Sequence, residues 1–148
     1  MKQTQTNGWL LDTCVLSEYV QKQYADHVID WVDSLDKSRV FVSRFTLAEL
    51  DTGLAKLQSL GSDRADKYAK WLASVRLEFA GRVLDADDEV WGRWAFINGV
   101  TKADGLPRPS IDLLITATAQ VHRLTIVTRN VGDFAPYPHI HNPWTTTV

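Results

Sequence analysis

Four acidic side chains, Asp12, Glu49, Asp112 and Asp133, fall at the ends of segments rather than inside them. The apolar run "GWLL" stops on Asp12. Glu49 lies in the first turns after "RVFVS", Asp112 two residues beyond Ser110, and Asp133 in "RNVGDF" just after "LTIVT". Singly, each has an ordinary explanation. Asp12 suits a helix cap, Asp112 the positive end of a helix dipole, Glu49 a solvated helix face and Asp133 a turn. Jointly they require four coincidences at one sheet edge. A carboxylate at the mouth of a buried strand costs several kcal/mol unless something pairs with it, and two carboxylates about 4 Å apart repel by about 4 kcal/mol at an effective dielectric near 20. Four share a pocket only when protonated, spread apart or neutralised by a cation. A hard dication such as Mg2+ or Mn2+ takes oxygen ligands, usually one or two protein carboxylates with waters and phosphates completing the shell. It generates a hydroxide-like nucleophile and stabilises charge on a phosphate, the chemistry of phosphodiester cleavage.

The elements that must position these acids alternate along the chain. "GWLLD", "RVFVS", "GRVLD" and "LTIVT" read as short strands, with "HIHNPW" a marginal fifth. The intervening stretches "VLSEYVQ", "ADHVIDWVDSL", "FTLAELDTGLAKLQSL", "SDRADKYAKWLASVRLEF", "ADDEVWGRWAFINGVTKADG" and "IDLLITATAQVHR" read as helices. Leu47, Leu50, Leu54 and Leu57 form a stripe at helical spacing, and Ser62 and Ser110 are the expected N-caps of their helices. Strands separated by helices imply βαβ units and a parallel sheet covered on both faces. Ligands of such sheets bind at the carboxyl ends of the strands, where the acids lie.

Length and composition bound the rest. The 148 residues favour one domain, 1–148 with a core from about 9 to 144, and no repeat or linker divides them. A net charge of −2 argues against a basic coat for nucleic acid but not against a local basic surface. No apolar stretch reaches the roughly 20 residues that span a bilayer. The polar start "MKQTQTNG" does not read as a secretory signal, and the single cysteine, Cys14, suits a reducing compartment. A cytoplasmic location follows as the expectation.

"LLDTCVLSEYV", "TLAELDTGL", "SIDLLITATA", "TRNVGDF" and "NPW", in this order, resemble the PIN-domain ribonucleases, specifically the VapC/FitB-like toxins of type II toxin–antitoxin pairs. The resemblance runs from about Leu10 to Trp144. It implies a three-layer α/β/α sandwich around a parallel sheet of four to five strands, in agreement with the reading above. It also implies a Mg2+- or Mn2+-dependent endoribonuclease that hydrolyses RNA with a metal-activated water. Asp12 and Asp112 are then the metal ligands, and Glu49 and Asp133 complete the acidic quartet. Thr13, Thr128 and Asn130 are supporting polar residues; Arg129, by its position between Thr128 and Asn130 rather than by the resemblance, is the candidate contact to RNA at the rim. Homodimerisation and a cognate antitoxin that covers the active site are implied as well. Two positions depart from the pattern: Cys14 where many relatives have asparagine, and Asp51 where a basic residue is common. A PIN fold that has lost catalysis and binds an antitoxin or RNA is the alternative this leaves.

Other candidates carry less. His139 and His141 alternate on one strand face, but no third ligand makes them a zinc site. Cys14 has no adjacent histidine to activate it, and packing explains it better. Trp91 and Trp94 share a helix face suited to a core or dimer interface, and Trp31 and Trp71 look core-facing. Arg44, Lys56, Lys102 and Arg108 adjoin the acidic segments but read rather as scattered solvated charge. A phosphoacceptor role for Asp12 lacks the second aspartate, because that position is Cys14, and lacks the late lysine, because "TIVTRN" offers Thr128 and Arg129.

Overall fold

In a computed structural model, residues 5–145 are described; the first four residues of the polar amino terminus and the last three of the chain lie outside them. Five short strands are β1 (Gly8–Leu11), β2 (Val40–Ser43), β3 (Val83–Leu84), β4 (Leu124–Val127) and β5 (Ile140–His141). The six helices are α1 (Thr13–Glu18), α2 (Asp26–Asp33), α3 (Arg44–Ser59), α4 (Ala65–Glu78), α5 (Asp88–Ala103) and α6 (Ser110–His122). The strands form one sheet in the order β3-β2-β1-β4-β5, and every pair is parallel.

Alternation along the strands divides the core. Leu11, Val40, Val42 and Val127 point to one face and pack with Val15, Leu16, Leu47, Leu50, Leu72 and Phe79 from α1, α3 and the α4 end. Leu10, Leu124 and Ile126 point to the other face, against Ile115 and Ala119 of α6. The strands are hydrophobic on both faces because helices cover both. α5 lies outermost, packed on α6. At Gly8 the chains approach so closely that a Cβ would sit 2.2 Å from the Arg39 carbonyl oxygen, so the first strand position admits only glycine without a shift of backbone.

Three local expectations change. α4 is N-capped by Arg64, not Ser62, whose hydroxyl instead accepts the Arg64 N–H. Ser110 is the first residue of α6, and Pro109 occupies the cap with its fixed φ of −54°. Trp91 is not a core residue: it is exposed on α5, as is Phe96, while the Trp94 indole N–H donates to the Ser110 carbonyl. Trp31 and Trp71 do pack against the core, as their helical positions suggested. No helix among the described residues is long and apolar enough to cross a membrane.

Candidate active site

The register of the central strands builds the site. Leu11 pairs with Val127, so the next residues, Asp12 and Thr128, leave the sheet side by side. The Asp12 N–H extends the ladder to the Val127 carbonyl at 3.0 Å. The two Asp12 carboxylate oxygens then divide their work. Oδ1 accepts the Thr13 N–H at 2.9 Å and caps α1, so the structural explanation of this residue is correct for one oxygen. Oδ2 accepts the Thr128 hydroxyl at 2.9 Å. Thr128 is fully buried and its Oγ1 also accepts the Asn130 N–H at 3.0 Å, which turns the exit loop. Thr13 donates through Oγ1 to Glu49 Oε1 at 3.0 Å, linking the first turn of α1 to α3.

Glu49 reaches this point because Ser43 caps α3, its Oγ accepting the Thr46 N–H, directly at the end of β2. Asp112 comes from the first turn of α6, and Asp133 from a 3-10 turn, Val131–Asp133, in the loop after β4. All four acids line one open cleft of about 620 Å3, together with Thr13, Cys14 and Asn130. A second cavity, about 390 Å3 and more apolar, lies between α1, α2 and α4, away from the acids.

Charges in this cleft are not neutralised. Among the described residues none of the four acids forms an ion pair. Glu49 is exposed as a residue, but its carboxyl end turns into the cleft. Burial there, with the Asp12 and Asp112 charges, holds that carboxyl above its ordinary range against the Thr13 hydrogen bond. Burial likewise pushes Asp112 up, and the Asp133 and Asp12 charges add to the shift. Arg108 opposes it; its guanidinium donates to the Gly132 carbonyl at 3.1 Å, beside Asp133.

The remaining sequence candidates are placed as follows. Arg129 is outside the cleft, with its guanidinium 5.1 Å above the Trp144 ring. The carboxyl-terminal "NPW" holds this loop: Asn142 donates to the Arg129 carbonyl, and its Oδ1 accepts the Trp144 N–H. Arg44 pairs with Asp85, and neither Lys56 nor Lys102 lines the cleft. Cys14 lines the rim, its Sγ 3.8 Å from Asp12 Oδ2 and accepting the Arg129 N–H at 3.5 Å, and burial raises its pKa. That environment opposes thiolate formation and agrees with a packing role. Asp51 points away and pairs with Arg76 of α4 at 2.6 Å, so this departure adds no charge to the cleft. His139 packs on Tyr137, and His141 on Trp31 with ring centroids 4.4 Å apart. Ser17, Gln21, Phe45 and Ile111 also line the cleft, which the sequence pattern does not mark; only Ser17, one helical turn after Thr13, carries a readable signal.

Among the described residues, no three His, Cys, Asp or Glu side chains close into a ready-made metal cage. A zinc-type centre enclosed by protein is therefore not what this donor set offers. Hard carboxylate oxygens facing an open, water-accessible cleft suit instead an ion that keeps several waters and takes one or two carboxylates, as Mg2+ does.

A parallel α/β/α domain with an acidic cleft at the strand ends matches the PIN domain over residues 9–137. The chain belongs to the PIN-domain family, within its VapC/FitB toxin–antitoxin group. It is 38% identical to Toxin FitB of Neisseria gonorrhoeae over 136 residues, 91% of this chain and 97% of that protein. It is 32% identical to a VapC ribonuclease of Sinorhizobium fredii, across 91% of this chain and 96% of the relative. The crystal structure of FitAcB from Neisseria gonorrhoeae superposes with a TM-score of 0.77 at 35% identity, covering 93% of this chain and 99% of that chain.

Proposed function

We propose that the protein is a Mg2+- or Mn2+-dependent endoribonuclease and the toxin of a toxin–antitoxin pair. The observation that carries this reading is the convergence of Asp12, Glu49, Asp112 and Asp133, from four separate elements, on one cleft without an ion pair among them. Asp12 and Asp112 are the carboxylates that would hold the ion. Bound there, it would polarise the phosphate and acidify a water. Thr13 and Thr128 fix both oxygens of Asp12, so its carboxylate is oriented before any ligand arrives. Thr13 also occupies Glu49 Oε1, which leaves Oε2 to take a proton from the attacking water. Asp133 adds negative charge that favours a cation over a bare anionic substrate. Attack by water does not use the RNA 2′-hydroxyl, and with the 3′-oxygen as leaving group the products carry a 5′-phosphate and a 3′-hydroxyl.

The name of the ribonuclease relative supports RNA as substrate, and that of the toxin relative supports an antitoxin as partner. The antitoxin would cover the cleft. A homodimer would bury the apolar residues that α5 leaves exposed, Trp91, Phe96 and Val100. Incubation of the purified chain with single-stranded and structured RNAs tests the activity. Cleavage should require Mg2+ or Mn2+, stop with chelator, and be absent in Asp12→Asn and Asp112→Asn. Metal-independent cleavage, or cleavage that survives both substitutions, would refute the assignment.

A further inference from the structure

Beside the acidic cleft, at the carboxyl ends of β2 and β3, lies a smaller recess of about 250 Å3. Phe45 lines both spaces, so they meet at one aromatic side chain. The recess wall is apolar, contributed by Phe45, Leu84 and Leu114. Its two hydroxyl residues are buried and spend their hydrogen bonds internally. Ser43 donates to Thr46 Oγ1 at 3.2 Å and accepts the Thr46 N–H, while Thr118 donates to the Leu114 carbonyl at 2.8 Å. Polarity is confined to the mouth. There Arg44 Nε donates to Asp85 Oδ1 at 2.8 Å and Nη2 approaches Oδ2 at 3.5 Å, with both side chains more than half exposed. A water-exposed pair of this kind adds little to stability. It does present a planar donor beside an acceptor, with guanidinium N–H groups and carboxylate lone pairs left over.

We propose that this recess is a nucleobase subsite. It takes one base of a single-stranded RNA whose adjacent phosphodiester lies over the acids; Phe45 stacks on the base, and Arg44 with Asp85 reads its edge. The inference rests on the ribonuclease reading and names what decides which RNA is cut. Three features favour a nucleobase. The recess is smaller than the roughly 300–1,000 Å3 of pockets for drug-sized ligands, which suits a single heterocycle. An aromatic wall with a donor–acceptor rim is how proteins hold unpaired bases, by stacking and by hydrogen bonds to the base edge. Phe45 is a wall common to the recess and the cleft, so a base stacked on it lies beside the space that the acids line.

Binding and cleavage separate the two claims. On an Asp112→Asn background in chelator, fluorescent single-stranded tetranucleotides that differ in one base would be titrated by anisotropy. The background protein is expected to prefer one base by about tenfold or more, the scale of one good base contact. Asp85→Asn should flatten that preference to within about threefold, and Phe45→Leu should weaken every oligonucleotide by about tenfold. Asp85 is exposed, so its substitution reports even if Phe45→Leu fails to fold. No preference, or a preference that survives Asp85→Asn, overturns the subsite. Loss of preference in the variants while the wild-type chain leaves RNA intact in Mn2+ would keep the subsite and reject the ribonuclease reading. Cleavage with unaltered base preference in both variants would do the reverse.

Discussion

Replacing Asp112 by asparagine should stabilise the metal-free protein. Asp112 shares the cleft with Asp133, Asp12 and Glu49, and Arg108 is the cation that opposes them. Two unit charges about 6 Å apart at an effective dielectric of about 40 interact by about 1.4 kcal/mol. Salt at physiological strength, with a Debye length of about 8 Å, reduces this by roughly half. Three repulsions less one attraction leave about 1.3 kcal/mol against the charge. The neutral amide would forfeit part of the helix-dipole contribution, about 0.3–1 kcal/mol. The net gain is about 0.3–1 kcal/mol, or roughly 2 °C in a domain of this size. The sign of its pH dependence follows from the raised pKa. Between the ordinary carboxylate value, about 4, and the higher folded value, the folded chain holds more protons than the unfolded chain, so wild-type stability falls as pH rises through that window. The penalty is absent below the window and complete above it. The variant's advantage therefore appears on going from about pH 4 to about pH 7.5. Taking the difference between the two proteins removes the opposite trend from His141, which burial keeps neutral. Thermal melts in chelator at both pH values measure it. Addition of Mn2+ should reverse the ranking, since stabilisation by a ligand reaches about 2.7 kcal/mol at a hundred times its Kd and the variant lacks a ligand. A metal-free variant less stable than wild type at neutral pH would refute the claim that these carboxylates repel one another.

Thr128→Val deletes the donor to Asp12 and the acceptor of the Asn130 N–H in a fully buried position, and should cost about 2–3 kcal/mol in urea unfolding; Thr128→Ser should recover most of it. Gly8→Ala forces a methyl group onto the Arg39 carbonyl and should destabilise by about 3 kcal/mol, visible as a lowered urea midpoint with unchanged slope. Asp51→Asn breaks an exposed ion pair with Arg76 and should change stability by less than about 0.5 kcal/mol, with the same thermal response to Mn2+ as wild type.

The strands can be read from the chain as short continuous apolar runs because both sheet faces are covered, and most helices from the period-3.6 pattern that one-sided burial imposes. Boundaries are less legible where the backbone decides them, as at Pro109, whose ring fixes φ and takes the cap that the Ser110 side chain suggests. For Trp91 helical spacing identifies a face but not what covers it: the core half of that reading fails, because α5 packs chiefly on α6 and leaves Trp91 exposed. For the acids, placement at element ends is visible, but convergence depends on strand order. β1 sits between β2 and β4, and no local pattern records that neighbourhood. The recess beside Phe45 is invisible for the same reason, since its walls come from residues 43–45, 84–86, 114 and 118. The partner of Asp51 likewise lies on another helix.

The four acids are held unequally, and this separates structure from function at the site. Asp12 accepts hydrogen bonds at both oxygens and Glu49 at one, whereas among the described residues no protein group donates to the carboxylates of Asp112 or Asp133. An acid retained for stability alone is one that the fold satisfies. Two held carboxylates facing two unheld ones leave a surplus of negative potential that protonation or a bound cation would relieve. Asparagine at position 12 keeps one acceptor but sets an NH2 group against either the Thr13 N–H or the Thr128 hydroxyl. Asp12→Asn relieves its own repulsions with Glu49 and Asp112, about 1.3 kcal/mol on the same reckoning. It also loses a charge-assisted hydrogen bond and strands a buried donor, at about 2–3 kcal/mol. It should therefore lose about 1 kcal/mol in chelator where Asp112→Asn gains, although both abolish the response to Mn2+. Opposite behaviour toward folding, with the same loss toward metal, is the pattern expected of a site whose ligands are partly preorganised by the fold and partly left strained for the ion. If both substitutions shifted metal-free stability in the same direction, the division between held and unheld carboxylates would carry no energetic meaning.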